Sequence, residues 1–253
     1  ITHPDPHLLA EATFRLALEY SYCYEELLWV EPEPFVESNR ILGATDHARS
    51  AFSKRAVPYS ERAALLCAYA LSLAAGTGDR NLLARIHWLG ANLLKDQGAT
   101  RAAIEGFRSG ATEALSASDE LVVGKCWHDL SQLFKATGHL DSAAVYAEKA
   151  IRAEGLWRPS AEIAMDHMTV GEREMMVGRY EVALQHFKRG RGSAYKTHVE
   201  DELENSIAEA YMHIGDYGSA VLSFEAVVSN KYSSDSLKRD AHFGLYIAYD
   251  SLA

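Results

Sequence analysis

Proline is scarce and unevenly placed: the chain has 6 in 253 residues, and the last is Pro159. Nothing in the final 94 residues therefore breaks a backbone helix by its ring. Cysteine is scarcer still, with Cys23, Cys67 and Cys126 far apart and odd in number. That pattern excludes a disulfide-stapled scaffold and a cysteine-rich zinc site. No apolar run of about 18 residues occurs, so no membrane association is expected. Basic charge is also short, 25 lysines and arginines against 35 carboxylates, for a net charge of −10. Phosphate binding wants a basic face, so nucleic acid is not an expected partner of this chain. An apolar fraction of 48% with 24% charged residues is that of a globular protein, which excludes disorder and fibrous repeats. The chain opens on Ile1 and has no signal-peptide pattern. It is read as a cytoplasmic piece of a longer protein.

Chemical motifs are equally sparse. No HExxH, P-loop, G-x-S-x-G or dinucleotide-binding glycine pattern is present. Gly76-Thr77-Gly78-Asp79 is glycine-rich, but it follows a helical pattern and reads as an interhelical turn. His87, His167 and His242 recur at one repeat position, where packing is the expected role rather than metal binding. Cys126 has no base beside it in the pattern and reads as a small apolar residue. No enzyme activity and no cofactor or metal is expected.

What is present is self-similarity. Four windows start at His87, Trp127, His167 and Glu204. Each has an apolar helical stretch, a glycine, a short polar turn and an alanine-bearing second helix. The turn glycines are Gly98, Gly138, Gly178 and Gly215, spaced 40, 40 and 37. Glycine takes the left-handed conformation that ends one helix and reverses the chain. Ala103, Ala143, Ala183 and Ala220 follow five residues later, where two helices cross closely. Phe107, Ala147, Phe187 and Phe224 lie four further on, sharing the alanine's face. Ala91, Ser131, Gly171 and Ala208, seven before each glycine, are the matching small residues on the first helix.

This register resembles the tetratricopeptide repeat. Trp127, Leu130, Ser131, Phe134, Gly138, Ala143, Ala147 and Ala150 match its motif best, and Ile207, Ala208, Tyr211, Gly215, Tyr217, Ala220 and Phe224 follow. Glu174 departs from it, standing where an aromatic is usual. The resemblance implies an all-α, right-handed superhelix of antiparallel helical hairpins, a TPR-like α-solenoid. Residues 79–253 would form the array, four repeats plus a fifth first-helix. Residues 1–78 would be divergent repeats or a capping bundle. In that N-terminal part Leu8–Trp29 reads as one helix, ended by Glu31-Pro32-Glu33-Pro34, and Phe35 to Ala56 as another, weakened at Gly43. Pro58 opens a third, with Ser60 as its N-cap.

The resemblance further implies a concave groove lined by the first helices, thirteen, ten, six and three residues before each turn glycine. These positions are Arg85, Trp88, Asn92 and Lys95 in the first repeat, and Lys125, His128, Gln132 and Lys135 in the second. They are Met165, Met168, Glu172 and Met175 in the third, and Glu202, Asn205, Glu209 and Met212 in the fourth. The groove is thus expected to be basic at one end, methionine-rich in the middle and acidic at the other. Solvated surface charge over a methionine core is the competing reading of the same residues. The expected function is non-catalytic binding of a protein or peptide, as the sensory or scaffolding part of a bacterial regulatory protein. Two alternatives stand beside it. One is an assembly module forming a homo-oligomer through its terminal helix, which carries Phe243, Tyr246 and Tyr249. The other is a sensor gating an attached effector, a diguanylate cyclase or transcription regulator.

Overall fold

A left-handed residue about every twenty positions cuts this alanine-rich chain into helices of similar length. The structure, a computed structural model, describes residues 5–29, 45–153, 160–194 and 199–252. Its helices are α1 (Pro6–Trp29), α2 (Thr45–Ala74), α3 (Arg80–Asp96), α4 (Thr100–Ser116), α5 (Glu120–Ala136) and α6 (Leu140–Arg152). They continue with α7 (Ser160–Met176), α8 (Tyr180–Ser193), α9 (Glu200–Ile214), α10 (Tyr217–Ser229) and α11 (Asp235–Leu252). No strand occurs among the described residues. The fold is all-α, a TPR-like succession of antiparallel helical hairpins.

The four turn glycines all have positive φ, between 76° and 87°. At Gly98 the glycine N–H donates to Lys95 O and the next N–H to Leu94 O, at 2.9 Å each. This pair of bonds is the Schellman closure, which satisfies carbonyls that the helix end would leave bare. It recurs at Gly138, Gly178 and Gly215. It also recurs at Ser118, between α4 and α5, where a serine takes φ 55°. Helix starts are tied as well: Asp79 Oδ1 accepts from Leu82 N, Asp119 Oδ1 from Val122 N, and Asp216 Oδ1 from Ser219 N.

The chain divides into two compact units, Ile1–Val122 and Val123–Ala253. In the first, α1 packs along α2, α2 on α3, and α3 on α4. Ser60, Ala63, Cys67, Ala70 and Ala74 form one buried stripe of α2, joined in the core by Ala10, Phe14 and Ala17 of α1. One expectation is corrected: Pro58 does not open a helix but lies inside α2. Its ring removes one hydrogen bond from a 30-residue helix whose C-terminal half is held by that stripe. Ser60 is accordingly no N-cap; it is buried, and Gln97 Nε2 donates to its hydroxyl at 3.4 Å. The expected turn over 31–34 and the helix break at Gly43 lie outside the described residues.

In the second unit α7 pairs with α8, α9 with α10, and α11 packs on α10. Ala143, Ala183 and Ala220 are fully buried, as are Ala147, Phe187 and Phe224 one turn on. Gly171 meets the Phe187 ring so closely that an added Cβ would lie 2.3 Å from it. Where Phe134 and Tyr146 stack at 5.4 Å between α5 and α6, the third hairpin has Glu174 instead. Its buried carboxylate is met by Arg173 and Arg179, both with a nitrogen 2.9 Å from Oε1. Charge pairing thus fills the aromatic's place.

Candidate peptide-binding wall

In the second unit polar side chains join the first helices α5 and α7, and an apolar core joins α7 to α9. His128 Nδ1 lies 2.9 Å from Asp166 Oδ1, linking α5 to α7. Lys135 Nζ donates to Glu172 Oε1 at 2.7 Å, linking them again two turns on. On α9, Asn205 Nδ2 donates to Glu209 Oε1 at 2.8 Å. These three contacts bring together six groups at or beside the inferred lining positions. Side chains held by such bonds, two between helices and one within α9, are pre-organised, so little side-chain entropy remains to be lost on binding.

Asp166 is fully buried. Burial opposes a charge on His128, yet the Asp166 bond and the carboxylates of Asp129 and Glu162 outweigh it and raise the imidazole above its ordinary range. Glu209 is held above the usual carboxylate range, first by its crowded surroundings and then by Asp240 and Glu172; Asn205 and His213 oppose the shift. Its side chain is nonetheless open to solvent.

The other lining residues fall into two groups. Gln132 is half-buried, and its Nε2 has no protein partner; Lys125 is half-buried, and Glu202 is exposed. Met168 is part of the α7–α9 core, while Met165 and Met175 pack against it, and Met212 packs against the α10–α11 core. The methionines therefore present edges to the wall and bury the rest. In the first unit the α3 residues are largely engaged within their own unit. The Arg85 guanidinium lies 4.8 Å from the Phe14 ring centroid and 4.0 Å from Glu11. Trp88 joins the core, Asn92 donates to Trp88 O, and Lys95 donates to Asn92 Oδ1 at 2.7 Å. His87 is half-buried and His167 buried, as their repeat position implies, whereas His242 is exposed.

Two sets of wall residues escaped the sequence reading. Asp166 lies one position off the expected register. The second set is on α11: counted back from residue 253, the lining offsets fall on Asp240, Phe243, Ile247 and Asp250. All four are exposed, and Asp240 acts on Glu209. The spacing of 38 from Gly215 was the available signal. Among the described residues no three metal-ligating side chains gather, and no helix is long and apolar enough to cross a membrane.

No family model and no curated protein matches the chain. Solved structures do. BtubC (BKLC) from P. vanneervenii is similar over 92% of both chains, with a TM-score of 0.57 and 18% identity. A tetratricopeptide repeat protein from Parabacteroides merdae is covered over 94% of its length and 98% of this chain, at TM-score 0.46 and 15% identity. The TPR protein TTC0263 of Thermus thermophilus is covered over 96% of its length and 78% of this chain, at 0.42 and 16%. The likeness to BtubC is one of fold: an all-α array of antiparallel helical hairpins.

Proposed function

We propose that this protein is a non-catalytic module that binds a peptide segment of another protein, the sensory or scaffolding part of a longer regulatory chain. Residues 79–253 are its repeat array and 1–78 its divergent repeats or capping bundle on this reading. The observation that carries it is the polar row of α5, α7 and α9, fixed by His128–Asp166, Lys135–Glu172 and Asn205–Glu209. Lys135, Glu172 and Glu209 stand partly or fully open to solvent, where a surface that reads hydrogen bonds and charge needs them. Three free thiols suit a reducing compartment, so we place it in the cytoplasm.

Selection of random displayed peptides against the purified chain tests the reading. Enriched sequences are expected to shift backbone amide resonances of α5, α7 and α9 and to lose binding in His128→Ala, Asn205→Ala. Enrichment of nothing, or shifts confined to α6, α8 and α10, would sink it.

One observation favours assembly as a second reading. Phe243 is 67% exposed and Tyr246 71%, with Tyr249 and Leu252 also open on α11. At the offsets of Tyr246 and Tyr249, the earlier hairpins carry residues that face their own second helix. Light scattering on wild type and Tyr246→Glu, Tyr249→Glu decides it. An oligomer that the double mutant dissolves supports assembly, and a monomer at high concentration in both removes it.

A further inference from the structure

The acidic residues along the wall are not matched by cations. Glu172 is paired with Lys135. Glu202, Glu209 and Asp240, by contrast, have no lysine or arginine within ion-pair distance among the described residues. Glu172, Glu209 and Asp240 lie on three successive first helices, α7, α9 and α11, and Glu209 feels the charge of the other two. Such repulsion is relieved when a cation arrives.

A second observation points the same way. Asn205 is more than nine-tenths buried, and its Oδ1 has no hydrogen-bond partner. The amide orientation is set by its Nδ2, which donates to Glu209. Turned over, it would aim an oxygen at a carboxylate. The orphan acceptor therefore stays beside Glu209, a buried carbonyl dipole that adds to the negative potential and wants a donor. Glu209 is open to solvent, and by swinging aside it would uncover that oxygen for a ligand's N–H group.

The apolar neighbours say what carries the cation. Phe243 and Ile247 are exposed on α11, and Met165 and Met212 are half-buried on α7 and α9. A small hydrated cation has no use for these surfaces; a lysine- or arginine-bearing segment with apolar residues between them covers both. Thioether and aromatic walls accept varied apolar side chains, while the carboxylates choose the charge.

We propose that the α7–α9–α11 wall of the second unit docks a basic amphipathic segment of a partner protein, with Asn205 and Glu209 as its centre. This rests on the reading of the wall as a peptide-binding surface. It keeps the acidic end of the groove expected from the sequence and drops the basic end at Lys135, which is taken by Glu172 within the wall. Glu202, Glu209 and Asp240 are then the charges that α9 and α11 offer.

Three fluorescein-labelled peptides of one amphipathic pattern test it, with lysine and arginine, glutamate, or serine at the polar positions. Anisotropy is read on the full chain at low and moderate salt. The basic peptide is expected to bind at least about tenfold tighter than the acidic one, and to weaken steeply as salt passes roughly 0.1 M. Glu209→Gln, Asp240→Asn should cost the basic peptide about five- to tenfold and leave the serine peptide unchanged. Both substituted side chains are exposed, so folding is not at risk, and circular dichroism checks it. If serine or acidic peptides bind the wall as tightly as the basic one, or neutralisation changes nothing, the basic-partner inference falls while peptide binding stands. If none of the three binds, both fall.

Discussion

Replacing Gly171 by alanine should destabilise the second unit by roughly 1–3 kcal/mol, and valine should cost more. The sign is the informative part, because alanine in a helix interior ordinarily stabilises by about 1 kcal/mol relative to glycine. Here the new Cβ would lie 2.3–2.8 Å from three atoms of the Phe187 ring. That ring is buried in the α7–α9 core with Ala183, Leu203 and Ile207, so it has no direction in which to yield. Gly192 on α8 is the internal control, since nothing stands within 4 Å of a Cβ there. Gly192→Ala should be neutral or stabilising by a few tenths to about 1 kcal/mol. Overpacking the same crossing from the other side, by Ala183→Leu, should cost as much as Gly171→Ala. Phe187→Leu should rescue part of the Gly171→Ala loss, as expected for residues in contact. Thermal denaturation reads all of these, at about 2–4 °C per kcal/mol for a chain of this size. A Gly171→Ala protein as stable as wild type would mean that the hairpin register is wrong.

The hairpins were legible because two residue types have narrow uses. Glycine at positive φ and alanine at a close crossing leave marks at fixed spacing, and Gly98, Gly138, Gly178 and Gly215 are all left-handed caps. The cap at Ser118 left no mark, since a serine in that conformation looks like any turn residue. Pro58 misled because a local rule was applied to a 30-residue helix that bears the loss of one hydrogen bond. Glu174 looked like a defect in the third repeat, and only coordinates could bring Arg173 and Arg179 to it. The wall was half legible. Offsets from the glycine found His128, Lys135, Glu172, Asn205 and Glu209, but single positions say nothing about pairing. That Lys135 joins Glu172, and that α11 continues the row with Asp240 and Phe243, depends on which helices stand next to each other.

Two buried histidines should give the stability of the second unit slopes of opposite sign on either side of neutrality. His167 faces His186, with 3.2 Å between their Nδ1 atoms. Burial, then the neighbouring His186 and Arg189, pull its pKa down to about 4. A folded pKa below the unfolded value of about 6.5 means that the native state binds fewer protons. Its contribution is therefore intact above pH 6.5 and lost as the pH falls towards about 4, in total on the order of 3 kcal/mol. The contact itself gives the reason: one proton between the two nitrogens makes a hydrogen bond, whereas a proton on each turns two N–H groups against one another. His128 behaves in the opposite way. Its folded pKa is raised by the bond to Asp166 and by Asp129 and Glu162, against the opposing effect of burial. Its contribution is complete below pH 6.5 and is lost as the pH rises through the folded value. Chemical denaturation from about pH 4 to about pH 9 should show both limbs. His167→Leu should flatten the acid limb, and His128→Gln the alkaline one. Asp166→Leu, which strands His128 in a buried site, should cost roughly 3–5 kcal/mol near pH 6 and remove the alkaline limb with it. Parallel pH curves for wild type and His167→Leu would show that His167 titrates normally, in contact with water rather than with His186.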